Sequence, residues 1–159
     1  MSRAKGAARR SVQPDLKYGS VVVAKLINRS MRDGKKSVAQ KQIYNALGIL
    51  SETLKRDAME ALDEVIRKVA PQMEVRSRRV GGASYQVPTP VRQDRAFSLA
   101  VRWLVIEANK RPNKTYHSFA DKLAAEMLDA LNEEGGAYAK RMSTHRMADA
   151  NKAFAHFRW

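Results

Sequence analysis

The 159-residue sequence contains no cysteine, which excludes a disulfide framework and a thiolate metal site and fits a reducing compartment. Long apolar runs are missing too: Val21 to Ala24 and Trp103 to Ile106 are the longest, against the roughly 18 residues of a membrane span. An apolar h-region is absent near Met1, so no signal peptide is expected, and the first helix begins within about 20 residues of Met1, which leaves no clear room for an organelle transit segment. The three histidines, His117, His145 and His156, stand in unrelated surroundings. None forms a His-Glu-x-x-His pattern, and there is no glycine-flanked serine elbow or glycine-rich dinucleotide fingerprint. His117 and Asp121 lie one turn apart, but two weak ligands without a third seldom hold a metal; a solvated pair is the expectation. No catalytic residue, cofactor, metal or small-molecule substrate is expected, and no membrane.

Acid is scarce as well. Sixteen Asp and Glu face 30 Lys and Arg, a formal charge of +14 with a pI near 10.4, which points to a polyanionic partner. The acids are also segregated. Ten of them lie in two windows, Glu52 to Glu64 and Asp121 to Glu134, which hold only three bases and sum to −7, while the remaining sequence carries +21. This pattern predicts one acidic side facing solvent and one basic side facing the partner.

What is present is organised around Met73 to Asp94, the one segment with a strand pattern. Gly81-Gly82 supplies the positive φ values of a two-residue hairpin loop. Pairing Val80 with Ala83 sets Arg78 opposite Tyr85 and Arg76 opposite Val87, on one face; Val75, Ser77, Arg79, Ser84 and Gln86 share the other. Neither face is apolar enough to sit on a core, and Pro88 and Pro90 withdraw backbone donors, so the ribbon is expected to project. A lone hairpin is marginal in water. One carrying Arg76, Arg78 and Arg79 beside a tyrosine suits RNA, whose phosphates guanidinium forks bind and whose unstacked bases aromatics accept. The plainer reading is a solvated hairpin kept soluble by arginine.

The rest of the chain is helical by period. Residues 1–14 hold Arg3, Lys5, Arg9 and Arg10 with no acid, and read as a basic arm. Ser20 caps a first helix reaching about Arg32, with Val23, Leu26 and Ile27 inward. Asp33-Gly-Lys-Lys-Ser37 is a turn whose Lys35 and Lys36 suit backbone phosphates; Arg29 stands where a P-loop needs its first glycine. From Ser37 a second helix buries Ala39, Ile43, Ala46, Leu47, Leu50 and Leu54. Asp57 and Glu60 suggest a capping box for a third, with Ala58, Leu62, Val65, Ile66 and Val69 inward. A fourth, Arg92 to Lys110, buries Phe97, Ala100, Val101, Leu104, Val105 and Ala108 and carries Arg92, Arg95 and Arg102 elsewhere; Trp103 is expected against a neighbouring helix. Arg111 to Lys114 is a connector, Thr115 a candidate cap for a fifth helix with Phe119, Leu123, Met127 and Leu131 inward, and Gly135-Gly136 its end. Ala137 to about residue 154 is a weakly amphipathic basic helix. Phe154, Phe157 and Trp159 close the core or lie on RNA; the sequence leaves both open.

Two classes fit: a structural RNA-binding protein, or a helical nucleoid-type DNA-binding protein using the ribbon as an arm. DNA-bending ribbons carry apolar wedges at their tips, whereas this tip is Val-Gly-Gly-Ala with arginines behind it, which favours RNA. Three separated motifs add to this: Val75-Arg-Ser-Arg-Arg-Val-Gly-Gly-Ala-Ser-Tyr-Gln-Val-Pro88, Pro14-Asp-Leu-Lys-Tyr-Gly-Ser20 with Asp33-Gly-Lys-Lys-Ser37, and Arg146-Met-Ala-Asp-Ala-Asn-Lys-Ala-Phe-Ala-His-Phe-Arg-Trp159. Together they resemble bacterial-type small-subunit ribosomal protein seven over nearly the whole chain.

The resemblance implies a mainly α, six-helix domain with one two-stranded antiparallel β-ribbon projecting between the third and fourth helices. One RNA-binding domain then spans 1–159, with an arm at 1–14 and the ribbon at 73–90. It implies a non-enzymatic constituent of the small ribosomal subunit that binds the 3′ major domain of the rRNA and organises head assembly. The ribbon then lies near the exit tRNA site, the mRNA exit channel and a platform protein, with head proteins as further neighbours. Repression of its own operon mRNA is known of some members and is open here. The location is a cytoplasmic ribosome or an organellar one. Arg3, Lys5, Arg9, Arg10, Lys35, Lys36, Arg76, Arg78, Arg79, Arg92, Arg95 and Lys114 are the expected rRNA contacts. Val80, Gly81, Gly82, Ala83, Ser84 and Tyr85 are expected near the exit-site tRNA and mRNA. Many relatives have Gly and Pro where this chain has Lys55-Arg56-Asp57-Ala58, a change expected to stiffen that connection. Many also have Arg-Glu-Asp where it has Met142-Ser-Thr144.

Overall fold

A computed structural model describes residues 11–157. Six α-helices, one hairpin and a closing 3-10 helix follow in order: α1 (Val21–Ser30), α2 (Lys36–Leu54), α3 (Ala58–Val69), β1 (Met73–Val80), β2 (Ala83–Pro90), α4 (Gln93–Lys110), α5 (Phe119–Leu131), α6 (Gly135–Ala150) and the 3-10 turn Lys152–Phe157. The expected mainly α architecture with a ribbon between the third and fourth helices is thus present. The arm residues Arg3, Lys5, Arg9 and Arg10, and Trp159, lie outside the described residues.

Each helix turns an apolar stripe into one core, in which α5 packs against α2, α3, α4 and α6. Leu26, Ile27, Ile43, Leu47, Leu50, Leu62, Leu104, Leu123 and Met127 are the largest apolar side chains wholly inside. Burying each contributes roughly 1.5–3 kcal/mol relative to exposure. Leu54, Phe97, Trp103, Phe119 and Leu131 are only partly buried, packed around this centre. Asp15 ties the leading segment down: its carboxylate accepts the Tyr44 hydroxyl at 2.7 Å and the Lys17 and Tyr18 amides. Burial works to raise this carboxyl, but those hydrogen bonds hold it below the usual range.

Helix ends follow side-chain chemistry. Ser20 accepts from the Val22 amide, and the Asp57 carboxylate from both Met59 and Glu60, satisfying first-turn donors. Three boundaries differ from expectation. The first helix ends at Ser30, where Met31 turns to extended backbone. Ser118, not Thr115, starts α5, because Ser118 and Asp121 form a reciprocal capping box that Thr115 has no partner for. Gly135-Gly136 opens α6 instead of ending α5. A Cβ on Gly136 would meet the Glu107 side chain at 2.8 Å, while Glu126 of α5 caps the new helix by accepting the Ala137 amide at 2.8 Å. The glycines therefore let α6 start flush against α4 and α5.

Lys55, which follows α2, adopts the left-handed conformation at φ 51°, a backbone that costs a non-glycine residue roughly 1–2 kcal/mol.

The acidic windows do not form one solvated side. Glu126 is 2% exposed and grips Arg111 at 2.7 Å, Asp129 bonds the same guanidinium, and Asp121 is spent on the cap. Charges at closest range to opposite partners override the average pattern. One acid of each window does come together around a shared cation, since Lys68 lies between Glu64 at 3.8 Å and Glu133 at 3.9 Å.

Candidate nucleic-acid interface

The ribbon has the register the sequence predicts: Val80 pairs with Ala83, Arg78 with Tyr85 and Arg76 with Val87. Gly81 and Gly82 take φ of 58° and 90°, conformations that cost glycine little. The tip residues Gly81, Gly82, Ala83 and Ser84 are exposed and Val80 is half-exposed. The base is not free. Glu74, Val87, Pro88 and Thr89 are buried, because β1 rests on α6 and β2 on the 3-10 turn. The Glu74 carboxylate accepts from Arg76 at 2.6 Å and from Arg95 of α4 at 2.7 Å. Burial works to raise this carboxyl, and the two guanidinium groups hold it lower than an ordinary glutamate. Only the outer half of the ribbon projects.

Tyr85 is the clearest departure from expectation. Its ring lies 5.3 Å from that of Phe154 and 5.0 Å from that of Phe157, so it is half-buried against the chain's own end instead of open to a base. Phe154 and Phe157 accordingly neither close the helical core nor stand free. Aromatic contact within the chain removes more apolar surface than solvent exposure allows.

The other expected contacts fall on a long surface. Lys35 is exposed in the turn after α1, Lys36 at the start of α2, and Lys114 in the connector after α4. Arg92 is the exposed N-cap residue of α4; that 18-residue helix, about 27 Å long, lies between it and the connector that carries Lys114. Arg76 and Arg95 are brought together on Glu74. Arg79 is exposed at the tip, its Nε 3.4 Å from the Gly82 carbonyl, and Arg78 is half-buried beside Tyr85.

Lys25, Arg29 and Arg32 went unrecognised in the sequence. They join these residues because α1 lies against α4: the Lys25 ammonium sits 4.7 Å over the Phe97 ring, and Arg32 donates to Asn109 at 3.2 Å. On α4, Arg95, Arg102 and Asn109 recur at seven and so share a face. The signal was legible, since Lys25 and Arg29 stand one turn apart, opposite the Val23–Ile27 stripe. Arg29, Arg32, Arg92, Arg95 and Arg102 are all exposed, which makes a cationic band from the ribbon base to the turn after α1. Among the described residues no three His, Asp or Glu gather to hold a metal, and the Asp121 carboxylate is hydrogen-bonded to Ser118 instead of His117. None of the helices they form is long and apolar enough to cross a membrane.

These features define a basic helical scaffold with a β-ribbon. The family described as Ribosomal protein S7p/S5e matches residues 2–152, and the chain belongs to it. Proteins called small ribosomal subunit protein uS7 from Geotalea uraniireducens and Paracoccus denitrificans are each 52% identical to it, over all of both chains. That of Xanthobacter autotrophicus is 50% identical over the same span. The family consists of structural ribosomal components, not enzymes. A nucleoid-type DNA-binding role gains no support from these relatives.

Proposed function

We infer that this chain, as a protein of the small ribosomal subunit, works by holding the 3′ major domain of the rRNA and organising the subunit head around it. The observation that carries the reading is the cationic band running along α1 and α4 to the ribbon. Its exposed arginines and lysines have the geometry for phosphate contacts that position an RNA without reading its sequence. Lys35, Lys36, Lys114, Arg92 and Arg79 contact phosphates directly. Arg76 and Arg95, half engaged by Glu74, present their remaining donors. The basic arm with Arg3, Lys5, Arg9 and Arg10 adds contacts of the same kind.

The exposed tip, Val80 to Ser84, reaches toward exit-site tRNA, mRNA and a platform protein, with Tyr85 serving as its anchor. Head proteins dock on surfaces the band leaves free, and the same band accommodates an operon mRNA in autogenous repression. Function is exercised on the ribosome, in the cytoplasm of a bacterial cell.

The test is the salt dependence of binding to a transcript of the 3′ major domain. For about eight neutralised phosphates the slope of log K against log salt is near −6 to −7. A slope shallower than about −2 would remove the electrostatic basis of the reading.

A further inference from the structure

A cavity of about 240 Å3 opens where the turn after α1 meets the starts of α2 and α5 and the end of α4. We propose that it receives one unstacked nucleotide of the bound RNA, the base inside and the 5′-phosphate on Lys35 and Arg32. The proposal rests on the rRNA-binding reading above and names a subsite within it.

Size is the first argument. The volume falls below the roughly 300–1,000 Å3 of drug-sized ligand pockets, which suits a single planar base and excludes a dinucleotide cofactor. The walls are the second. Val38, 57% exposed, Ala39 and the Phe119 ring line the cavity, and aliphatic and aromatic walls of this kind take the face of a base withdrawn from its stack. An exposed valine beside a half-exposed phenylalanine is otherwise an uncompensated apolar surface on a strongly charged protein.

Polar groups at the same place supply directionality. Gln42 uses its carbonyl oxygen on the Ala120 amide at 3.0 Å, which fixes the side chain and leaves its NH2 group to donate to a base edge. Asn109 donates to the Val105 carbonyl at 2.7 Å and accepts from Arg32 at 3.2 Å. That contact holds the Arg32 guanidinium at the mouth with its other N–H groups unspent on Asn109. Lys35 lines the mouth beside it. Asp33 lies there too; two cations against one acid leave the entrance net positive, which suits the anionic phosphodiester of an RNA chain.

The test uses the full-length protein with methyl-labelled valine and alanine, titrated separately with adenosine 5′-monophosphate and ribose 5-phosphate. Expected are saturable shifts of the Val38 and Ala39 methyls with the nucleotide only. Lys35→Gln should weaken nucleotide binding about tenfold or more, the equivalent of one charge-assisted hydrogen bond. Lys55→Gln, exposed at the far end of α2 from the cavity, should change it less than about twofold. Equal methyl shifts with ribose 5-phosphate, or no methyl shifts with either, would overturn the base site. Binding of the 3′ major domain transcript is measured on the same sample: if the transcript binds while the methyls stay silent, the subsite fails and the RNA-binding reading stands. Failure of the transcript to bind would remove both.

Discussion

Replacing Glu74 by glutamine tests whether one carboxylate pins the ribbon to the helical domain. Glu74 is 6% exposed and takes two charge-assisted bonds, from Arg76 at 2.6 Å and Arg95 at 2.7 Å. Such bonds reach about 1.5–3 kcal/mol each when fully desolvated. The Arg76 and Arg95 side chains, however, are 55% and 52% exposed, so on release they regain water and each bond is closer to ~1 kcal/mol. Glu74→Gln is therefore expected to cost about 2 kcal/mol in total, a fall in Tm of roughly 4–8 °C for a chain of this length.

The pH dependence sharpens the test. Because the folded carboxyl is held below its ordinary value, its contribution is complete above the unfolded glutamate pKa of about 4.3. It is lost as pH falls through the folded value. Calorimetry of both proteins should show the full gap at pH 7 and convergence as the pH drops below about 4. The variant should keep its affinity for the 3′ major domain transcript, since Arg76 and Arg95 are released and not removed. A gap that persists undiminished in acid, or weakened RNA binding at unchanged Tm, would refute the assignment of Glu74 as a structural pin.

Arg79→Ala should leave Tm within about 1 °C and weaken transcript binding about tenfold, the loss of one charged hydrogen bond; filter binding beside thermal melts checks both. Tyr85→Ala removes two aromatic contacts of about 0.5–1.5 kcal/mol each, and should speed tryptic cleavage at Lys152 several-fold as the 3-10 turn detaches from the ribbon. His145 accepts the Gln72 amide at 3.0 Å, and burial followed by the nearby Arg141 charge pushes its pKa down. Stability from this contact is thus whole above about pH 6.5 and declines below it, so acidifying from pH 7 to 5.5 should destabilise the parent more than His145→Gln. Deleting Val80 to Ser84 in a strain with no other copy should spare subunit profiles while altering exit-site tRNA retention or frame maintenance; missing subunits would assign the tip to assembly.

Local chemistry was legible in the sequence because it is decided within a few residues. The six helices, the Gly81-Gly82 turn and the hairpin register follow from period, caps and positive φ, and the inward faces of α3 and α4 from spacing alone. The exposed cations Lys35, Lys36, Arg79, Arg92 and Lys114 were recognisable for the same reason, since nothing near them in sequence could bury them. What each charged or aromatic group meets across the fold was not. Glu126 caps α6 and clasps Arg111, Glu74 joins the ribbon to α4, Tyr85 packs on Phe154 and Phe157, and Lys25 and Arg32 join α4 at Phe97 and Asn109. Every one of these pairs is separated by many residues or by an intervening element. Hydrogen bonds and ring contacts act over a few ångströms, so only the tertiary packing of these elements could bring the partners within range. The sequence by itself determined a basic, mainly helical chain with one β-hairpin. Tertiary packing decided which of its cations are spent on carboxylates and which face outward.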